Sequence, residues 1–139
     1  MIAGMATNKE LLDEAFASFA RGDGTAFVNL LDEAILWTVI GTTAWSGPLR
    51  GKNAVLTQLL GPLSAQLANA PTFVRKRIIA DGDDVAVEFQ GQNKTQAGKD
   101  YSNTYCAVLR MANGKIVELT EYMDTALVNT ALDPPSLPV

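Results

Sequence analysis

The sequence contains no histidine and only one cysteine, Cys106, among its 139 residues. Histidine is the commonest metal ligand and the usual general base near neutral pH, so its absence excludes a Ser-His-Asp triad and argues against a zinc site. A single cysteine cannot form an internal disulfide, and no basic neighbour or helix start activates the Cys106 thiol. Any acid–base chemistry must therefore use carboxylates, tyrosine, lysine or that cysteine, and we expect no metal and no cofactor.

Basic residues are also few, with 11 lysines and arginines against 15 acidic residues. The only basic run is RKR at residues 75–77, which is too short to follow a phosphate backbone, so nucleic acid is not an expected partner. No apolar run approaches the roughly 18 residues of a membrane span, and MIAGMATNKE lacks a cationic start followed by a long apolar stretch. We expect a cytoplasmic protein that does not enter the membrane.

Length and composition predict one globular domain over residues 1–139. Hydrophobic residues make up 47% of the chain and charged residues 19%, which suits a folded domain with a substantial core. We expect this core to span about residues 8–132. The tail at 133–139, DPPSLPV, is rich in proline and cannot form a helix or an inner strand.

Helical signals are concentrated in the first half of the chain. Thr7 and Glu10 form a capping box, and the apolar residues that follow recur at helical spacing. The expected helices cover residues 8–21, a short segment from Thr25, and residues 53–69 with an interruption at the Gly61-Pro62 pair, since proline cannot donate the helical hydrogen bond.

Strand signals begin with AILWTVIG at residues 34–41 and dominate the second half of the chain. A Gly- and Pro-rich loop bearing Trp45 follows the first strand. Four further β-rich segments are separated by turn sequences: TFVRKRIIA, VAVEFQGQ, YSNTYCAVLRM and IVELTEYMD. Helices followed by an antiparallel meander predict an α+β fold in which the helices cover one face of a curved sheet.

The ANGK sequence at residues 112–115 allows two registers for the last hairpin. A two-residue Asn-Gly turn would pair Met111 with Ile116, whereas a three-residue loop with Gly114 as a left-handed bulge would pair Met111 with Lys115. A shift of one residue exchanges the two faces of a strand. Only the second register collects the apolar side chains on one face, so we predict that register.

The chosen register places Glu121 on the covered, apolar face, opposite Tyr105, with Asn103 near Met123. Desolvation should raise the pKa of a carboxyl group in that position unless a cation reaches it, which makes Glu121 a candidate general acid or base. The structural alternative is that Glu121 pairs with an arginine of the RKR run or hydrogen-bonds Tyr105.

Asp124 falls on the opposite, outer face of the sheet in this register. That face also carries Cys106, Val108, Thr120 and Tyr122. Because it is partly apolar, we expect a homodimer that buries it.

The element order, together with DGDDVAVEF, AGKDYSNTY and GKIVELTEYMDTA, resembles the SnoaL-like polyketide cyclase branch of the nuclear transport factor 2-like superfamily. This superfamily also contains ketosteroid isomerases and limonene epoxide hydrolases. The resemblance covers about Lys9 to Leu132. It implies a cone-shaped bent sheet wrapped around three helices, an apolar pocket between sheet and helices, and dimerisation through the outer sheet face.

Positions carried over from the resemblance place pocket-lining residues on four strands. They are Trp37; Glu88, Gln90 and Gln92; Asn103 and Tyr105; and Leu119, Glu121 and Met123. In the VAVEFQGQ segment, however, alternation favours Val85, Val87 and Phe89 as the buried side. Either face of this strand can therefore line the pocket. Trp37 and Trp45 can stack on an aromatic ligand or belong to the core.

The resemblance does not extend to two known catalytic patterns of the superfamily. The epoxide hydrolases need an Arg and an Asp two residues apart where this chain has Glu88 and Gln90, and the isomerases need a base near WTVIGTT, which has no carboxylate. Polyketide cyclases of the family rely on one pocket acid on a late strand, which Glu121 or Asp124 can supply.

Two hypotheses of different class follow. The first is a cofactor-independent cyclase, isomerase or lyase for a small apolar or aromatic carbonyl compound, with Glu121 as acid or base and Tyr105 and Asn103 polarising or positioning the substrate. The second is a non-catalytic ligand-binding or dimerisation module. A raised carboxyl pKa beside a cavity of about 300 Å³ or more favours the enzyme, whereas a Glu121 buried against an arginine favours the module.

Overall fold

A computed structural model describes residues 5–137 and shows one six-stranded sheet in the order β2-β1-β6-β5-β4-β3. Neighbouring strands are antiparallel, except that β1 and β6 run parallel. The strands are β1 Leu31–Val39, β2 Gly47–Arg50, β3 Phe73–Asp81, β4 Asp84–Gly91, β5 Thr104–Ala112 and β6 Lys115–Met123. The α+β class predicted from the sequence is confirmed.

The helices are α1 Asn8–Phe19, α2 Thr25–Leu30, α3 Lys52–Val55, α4 Gly61–Gln66 and α5 Thr125–Ala131, with a π-helical segment at Leu56–Leu60. Helix α1 begins with the predicted capping box, in which Glu10 N–H donates to Thr7 Oγ1 and Thr7 N–H donates to Glu10 Oε1. Helix α1 packs on β3, and α2 and α3 pack on β1. The main core lies between these helices and the inner face of the sheet.

The third predicted helix is continuous through Gly61-Pro62, and the expected interruption is wrong. The π-helical segment lets Gly61 N–H donate to Leu56 O, five residues earlier. A Cβ at position 61 would lie 2.8 Å from that oxygen, so the close approach requires glycine. Pro62 is the second residue of α4, directly after the π-helical segment. This helical segment lines the cavity described below.

The last hairpin has the two-residue turn, so the predicted three-residue loop is wrong. Ala112 pairs with Lys115 and Met111 with Ile116. Asn113 and Gly114 have φ values of 52° and 75°, and two successive positive φ values are the requirement of a type I′ turn.

A bulge inside β6 nevertheless restores the predicted faces. Met111 pairs with Ile116 but Arg110 pairs with Glu118, so Val117 is the extra residue. Beyond the bulge, Glu121 faces inward as predicted. Its cross-strand partner is Ala107 instead of Tyr105, and the partner of Met123 is Tyr105 instead of Asn103.

Two elements lie where the sequence predicted a loop and a strand. Strand β2 forms within the expected loop at 41–51, and the strand-like run ELTEYMDTAL ends at Met123, after which α5 begins. No helix of residues 5–137 is long and apolar enough to cross a membrane.

Candidate functional site

A cavity of about 210 Å³ lies between the inner sheet face and the helices. All five phenylalanines of the chain line it: Phe16, Phe19, Phe27, Phe73 and Phe89. The helical wall contributes Leu59, Leu60 and Leu63. Ser64 is exposed, whereas Val28 and Pro71 are half-buried, so these lining residues mark the entrance.

The aromatic side chains hold one another in place around the cavity. Phe89 stacks on Tyr105 with ring centroids 4.7 Å apart and planes inclined by 8°, and Phe73 meets Tyr105 edge-on at 5.7 Å. Phe16 contacts Phe89 at 5.1 Å from the helical side. Such pairs stabilise a packed wall beyond their burial alone, so the cavity is preformed and apolar.

Glu121 provides the carboxyl group of this cavity. It lies on β6 between β1 and β5, with Val39 opposite it on one side and Ala107 on the other. The small Ala107 side chain leaves room for the carboxyl group. Trp37 and Tyr105 flank it diagonally on the same face, and both also line the cavity. Glu121 keeps partial solvent accessibility even though protein surrounds it, which is consistent with a side chain that faces the internal space.

Burial raises the pKa of Glu121 to about 7, while the nearby Trp37 indole acts in the lowering direction. No salt bridge found within residues 5–137 involves Glu121. Arg75 instead contacts Asp13 at 2.9 Å, and Arg77 contacts Glu88 at 2.8 Å. The predicted structural alternative, pairing of Glu121 with an arginine, is therefore absent from the described residues.

Trp37 belongs to the core and also presents a polar atom. Its side chain is only 4% exposed, and its ring meets Phe27 edge-on at 6.1 Å. Within the described residues, Nε1 makes no hydrogen bond of acceptable geometry. The indole therefore lies close enough to influence the pKa of Glu121 without forming an ordinary hydrogen bond to it.

Tyr101 is a site residue that the sequence analysis missed. It is 3% exposed and lines a second, smaller cavity of about 30 Å³ that shares Tyr105 and Glu121 with the main one. Burial raises the pKa of both tyrosines, that of Tyr105 well above its ordinary value. The alternation of Tyr101, Asn103 and Tyr105 in YSNTY was the available signal, because alternate residues of an extended chain share a face.

Leu119 lines the main cavity and Met123 the smaller one, as the resemblance implied. Asn103 is buried but does not line either cavity. Its Nδ2 donates to Asp124 O at 3.0 Å, and Asp124 N–H donates to Asn103 Oδ1 at 3.2 Å. Asn103 therefore holds the corner between β6 and α5, and its placement as a ligand-contacting residue is corrected.

Asp124 is likewise outside both cavities. Its Oδ1 accepts hydrogen bonds from Ala126 N–H at 3.0 Å and Leu127 N–H at 3.3 Å, which makes it the N-cap of α5. The expectation that Asp124 could serve as the pocket acid is therefore wrong. Of the two carboxylates considered, only Glu121 faces the cavity.

Glu88 and Gln90 lie on the outer face of β4, so their assignment to the pocket is wrong. Glu88 pairs with Arg77, and Gln90 Nε2 donates to Ser102 O at 2.6 Å. Gln92 is exposed as well. The buried side of the strand consists of Val85, Val87 and Phe89, as alternation indicated.

The fold and the cavity define the class of protein. It is an α+β protein in which a bent sheet and the helices packed on it enclose an apolar cavity that contains one carboxyl group. Residues 12–119 match the sequence profile of the SnoaL-like domain, and the chain belongs to this family. The resemblance inferred from the sequence is thereby confirmed. Among curated proteins, no sequence matches this chain.

Solved structures show the same fold at low sequence identity. An NTF2-like protein from Burkholderia thailandensis E264 is 24% identical with a TM-score of 0.78, covering 94% of this chain and 100% of that one. TerC, co-crystallised with polyporic acid, is 17% identical with a TM-score of 0.74 over 89% and 96% of the two chains. A candidate SnoaL-like polyketide cyclase from Jannaschia sp. CCS1 is 15% identical with a TM-score of 0.72 over 93% of each.

Proposed function

We propose that the protein binds a small, uncharged ring compound with a carbonyl group and that Glu121 acts on it as a general acid and base, without a cofactor. The reaction class is isomerisation, cyclisation or lyase chemistry. The observation that carries this proposal is a carboxyl group with a pKa of about 7 that faces an apolar cavity. A group that titrates near neutral pH is well suited to both accept and return a proton.

The cavity lining favours a neutral ligand. No lysine or arginine lines it, and its carboxyl group would repel an anion. Its volume of about 210 Å³ exceeds the roughly 150 Å³ of an apolar cavity that holds benzene. A compound of one or two rings is the matching size. TerC, with its polyporic acid complex, supports ligand binding in this fold.

The proposed chemistry is proton transfer at the carbon next to the carbonyl group. The Glu121 carboxylate removes a proton from this carbon, and the C–H electron pair shifts to leave an enolate with its negative charge on oxygen. The resulting carboxylic acid then returns the proton to the same or another carbon. Because aromatic rings line the cavity, little water competes for this proton.

A non-catalytic ligand-binding module of the same fold is the second candidate. The cavity of about 210 Å³ is smaller than the roughly 300 Å³ expected above for an enzyme site, so the volume alone does not favour catalysis. The two candidates differ in whether a bound carbonyl compound exchanges protons.

Deuterium exchange at the activated carbons of 2-tetralone, followed by NMR in D₂O, separates the two candidates. We expect the protein to accelerate exchange above the buffer rate, and Glu121→Gln to lower the protein-dependent rate by about 100-fold or more. Glu118→Gln, an exposed glutamate on the same strand, is the matched control and should keep the wild-type rate. Binding of 2-tetralone without acceleration would establish the module, and full activity of Glu121→Gln would exclude Glu121 as the base.

We also propose a homodimer formed through the outer sheet face. Ile79, Ala86, Val108 and Thr120 lie side by side across β3, β4, β5 and β6 on this face. Val108 is 46% exposed and the nearby Tyr122 45%, which is more apolar exposure than a solvated sheet face needs.

We further propose a cytoplasmic location, which suits the free thiol of Cys106.

A further inference from the structure

We propose that the indole N–H of Trp37 binds the ligand directly, donating a hydrogen bond to the carbonyl oxygen of the compound on which Glu121 acts. This inference rests on the proposed function. It gives Trp37 a chemical role, because the N–H would also stabilise the enolate oxygen as negative charge develops there.

The first argument is the state of the Trp37 nitrogen. The residue is 4% exposed and lines the main cavity, yet Nε1 has no hydrogen-bond partner among the described residues. A buried donor left without a partner loses the hydrogen bond that it makes to water in the unfolded chain. The other tryptophan, Trp45, shows the usual arrangement, since its Nε1 donates to Asp133 O at 3.0 Å. Trp37 therefore presents a buried donor that makes no hydrogen bond of acceptable geometry, and the Glu121 carboxyl group is the nearby protein group that it influences.

The second argument is the position of Trp37 beside Glu121. The parallel pairing of β1 and β6 sets Trp37 opposite Leu119 and Val39 opposite Glu121. Trp37 and Glu121 are thus diagonal neighbours on one face, and the Trp37 indole lies close enough to the Glu121 carboxyl group to influence its pKa. A ligand oxygen held by the indole N–H places the adjacent carbon next to the carboxyl group.

Tyr105 is the competing donor, but the neighbouring Tyr101 already influences its hydroxyl group. Burial is the largest cause of the raised pKa of both tyrosines; contact with Tyr101 further raises the pKa of Tyr105, whereas contact with Tyr105 lowers that of Tyr101. These opposite directions are expected when Tyr105 donates to the oxygen of Tyr101. The remaining orphan donor, Asn93 Nδ2, does not line the cavity.

The test compares 2-tetralone with tetralin, a hydrocarbon of nearly the same shape that lacks the oxygen. The chain has two tryptophans, so its ¹⁵N-labelled indole groups can be assigned with Trp45→Phe. We expect 2-tetralone, but not tetralin, to move the Trp37 N–H resonance of the wild-type protein. We also expect Trp37→Phe to bind tetralin normally and to lose about tenfold in affinity for 2-tetralone.

The exchange assay adds a kinetic readout with a matched control. Trp37→Phe should lower the maximal exchange rate of 2-tetralone by about 100-fold, because the enolate loses its donor. Trp45→Phe, which removes an indole N–H outside the main cavity, should keep the wild-type rate.

Each outcome separates this inference from the proposed function. Exchange that depends on Glu121 but survives unchanged in Trp37→Phe would overturn the role of Trp37 and leave the proposed function intact. A Trp37 resonance that responds equally to both compounds would also overturn it. An oxygen-dependent shift of Trp37 without any exchange would support the donor role in binding while excluding the proposed catalysis.

Discussion

Glu121 should make the folded protein less stable at mildly alkaline pH than in mild acid, and Glu121→Gln should remove this dependence. The pKa of Glu121 is about 7 in the folded protein, against an ordinary value of 4.5. The unfolded chain therefore releases this proton at lower pH than the folded protein does. Stability is greatest below the ordinary value, declines as the pH rises, and levels off above the folded pKa.

The size of this effect follows from the two pKa values. A difference from 4.5 to about 7 corresponds to roughly 3 kcal/mol over the full titration, at about 1.4 kcal/mol for each factor of ten in proton affinity. Between about pH 5 and about pH 8, the two titration curves give a loss of roughly 2.5 kcal/mol in the free energy of unfolding.

Urea unfolding of the wild-type protein and Glu121→Gln at these two pH values provides the assay. The stability difference between the two proteins should change by roughly 2.5 kcal/mol in favour of the glutamine variant as the pH rises. Taking this difference cancels the contributions of the other titratable groups. Glu118→Gln should parallel the wild-type protein. A difference between wild type and Glu121→Gln that stays constant across the range would refute the reasoning about burial.

Two further predictions test the remaining assignments. Asp124→Ala removes the N-cap of α5 and should lower the free energy of unfolding by about 1 kcal/mol. Exchange of 2-tetralone should continue in this variant; loss of exchange in a stably folded Asp124→Ala protein would show that Asp124 belongs to the site. Val108→Glu places a charge within the proposed dimer face and should give monomers in sedimentation equilibrium, whereas Ala17→Glu on the exposed side of α1 should not; a monomeric wild type would contradict the dimer.

Local signals accounted for most of the fold. The capping box at Thr7 and the alternating strands depend on neighbouring residues, so they could be recognised in the sequence. Helix α5 was missed because Asp124 was treated as part of a strand, although an aspartate followed by TALVNTA is also a helix start. The third helix was predicted to break because a π-helical segment that accommodates Gly61-Pro62 has no simple sequence signature.

The last hairpin shows how two valid signals can both be satisfied. The Asn-Gly pair favoured a two-residue turn, whereas the apolar pattern required the other register. The structure keeps the turn and inserts Val117 as a bulge, so the register changes within the strand. The two registers are therefore not exclusive alternatives, and the apolar pattern identifies the correct face for Glu121 although the predicted turn is wrong.

The site could be predicted only where alternation identified a face. Glu121, Trp37 and Tyr105 were placed inward on this basis or by resemblance, and the structure brings them together. Glu88 and Gln90 were carried over by position against the alternation of their own strand. Cavity volume and the contact between Tyr101 and Tyr105 depend on how helices and sheet pack, which no local pattern specifies.

The most direct test is an NMR titration of the Glu121 side-chain carboxyl carbon in ¹³C-labelled protein, assigned by its disappearance in Glu121→Gln. We expect a pKa of about 7 and a change in this resonance when 2-tetralone is added. A carboxyl group that titrates near its ordinary value of 4.5, with no response to the ketone, would contradict the proposed role of Glu121 in the cavity.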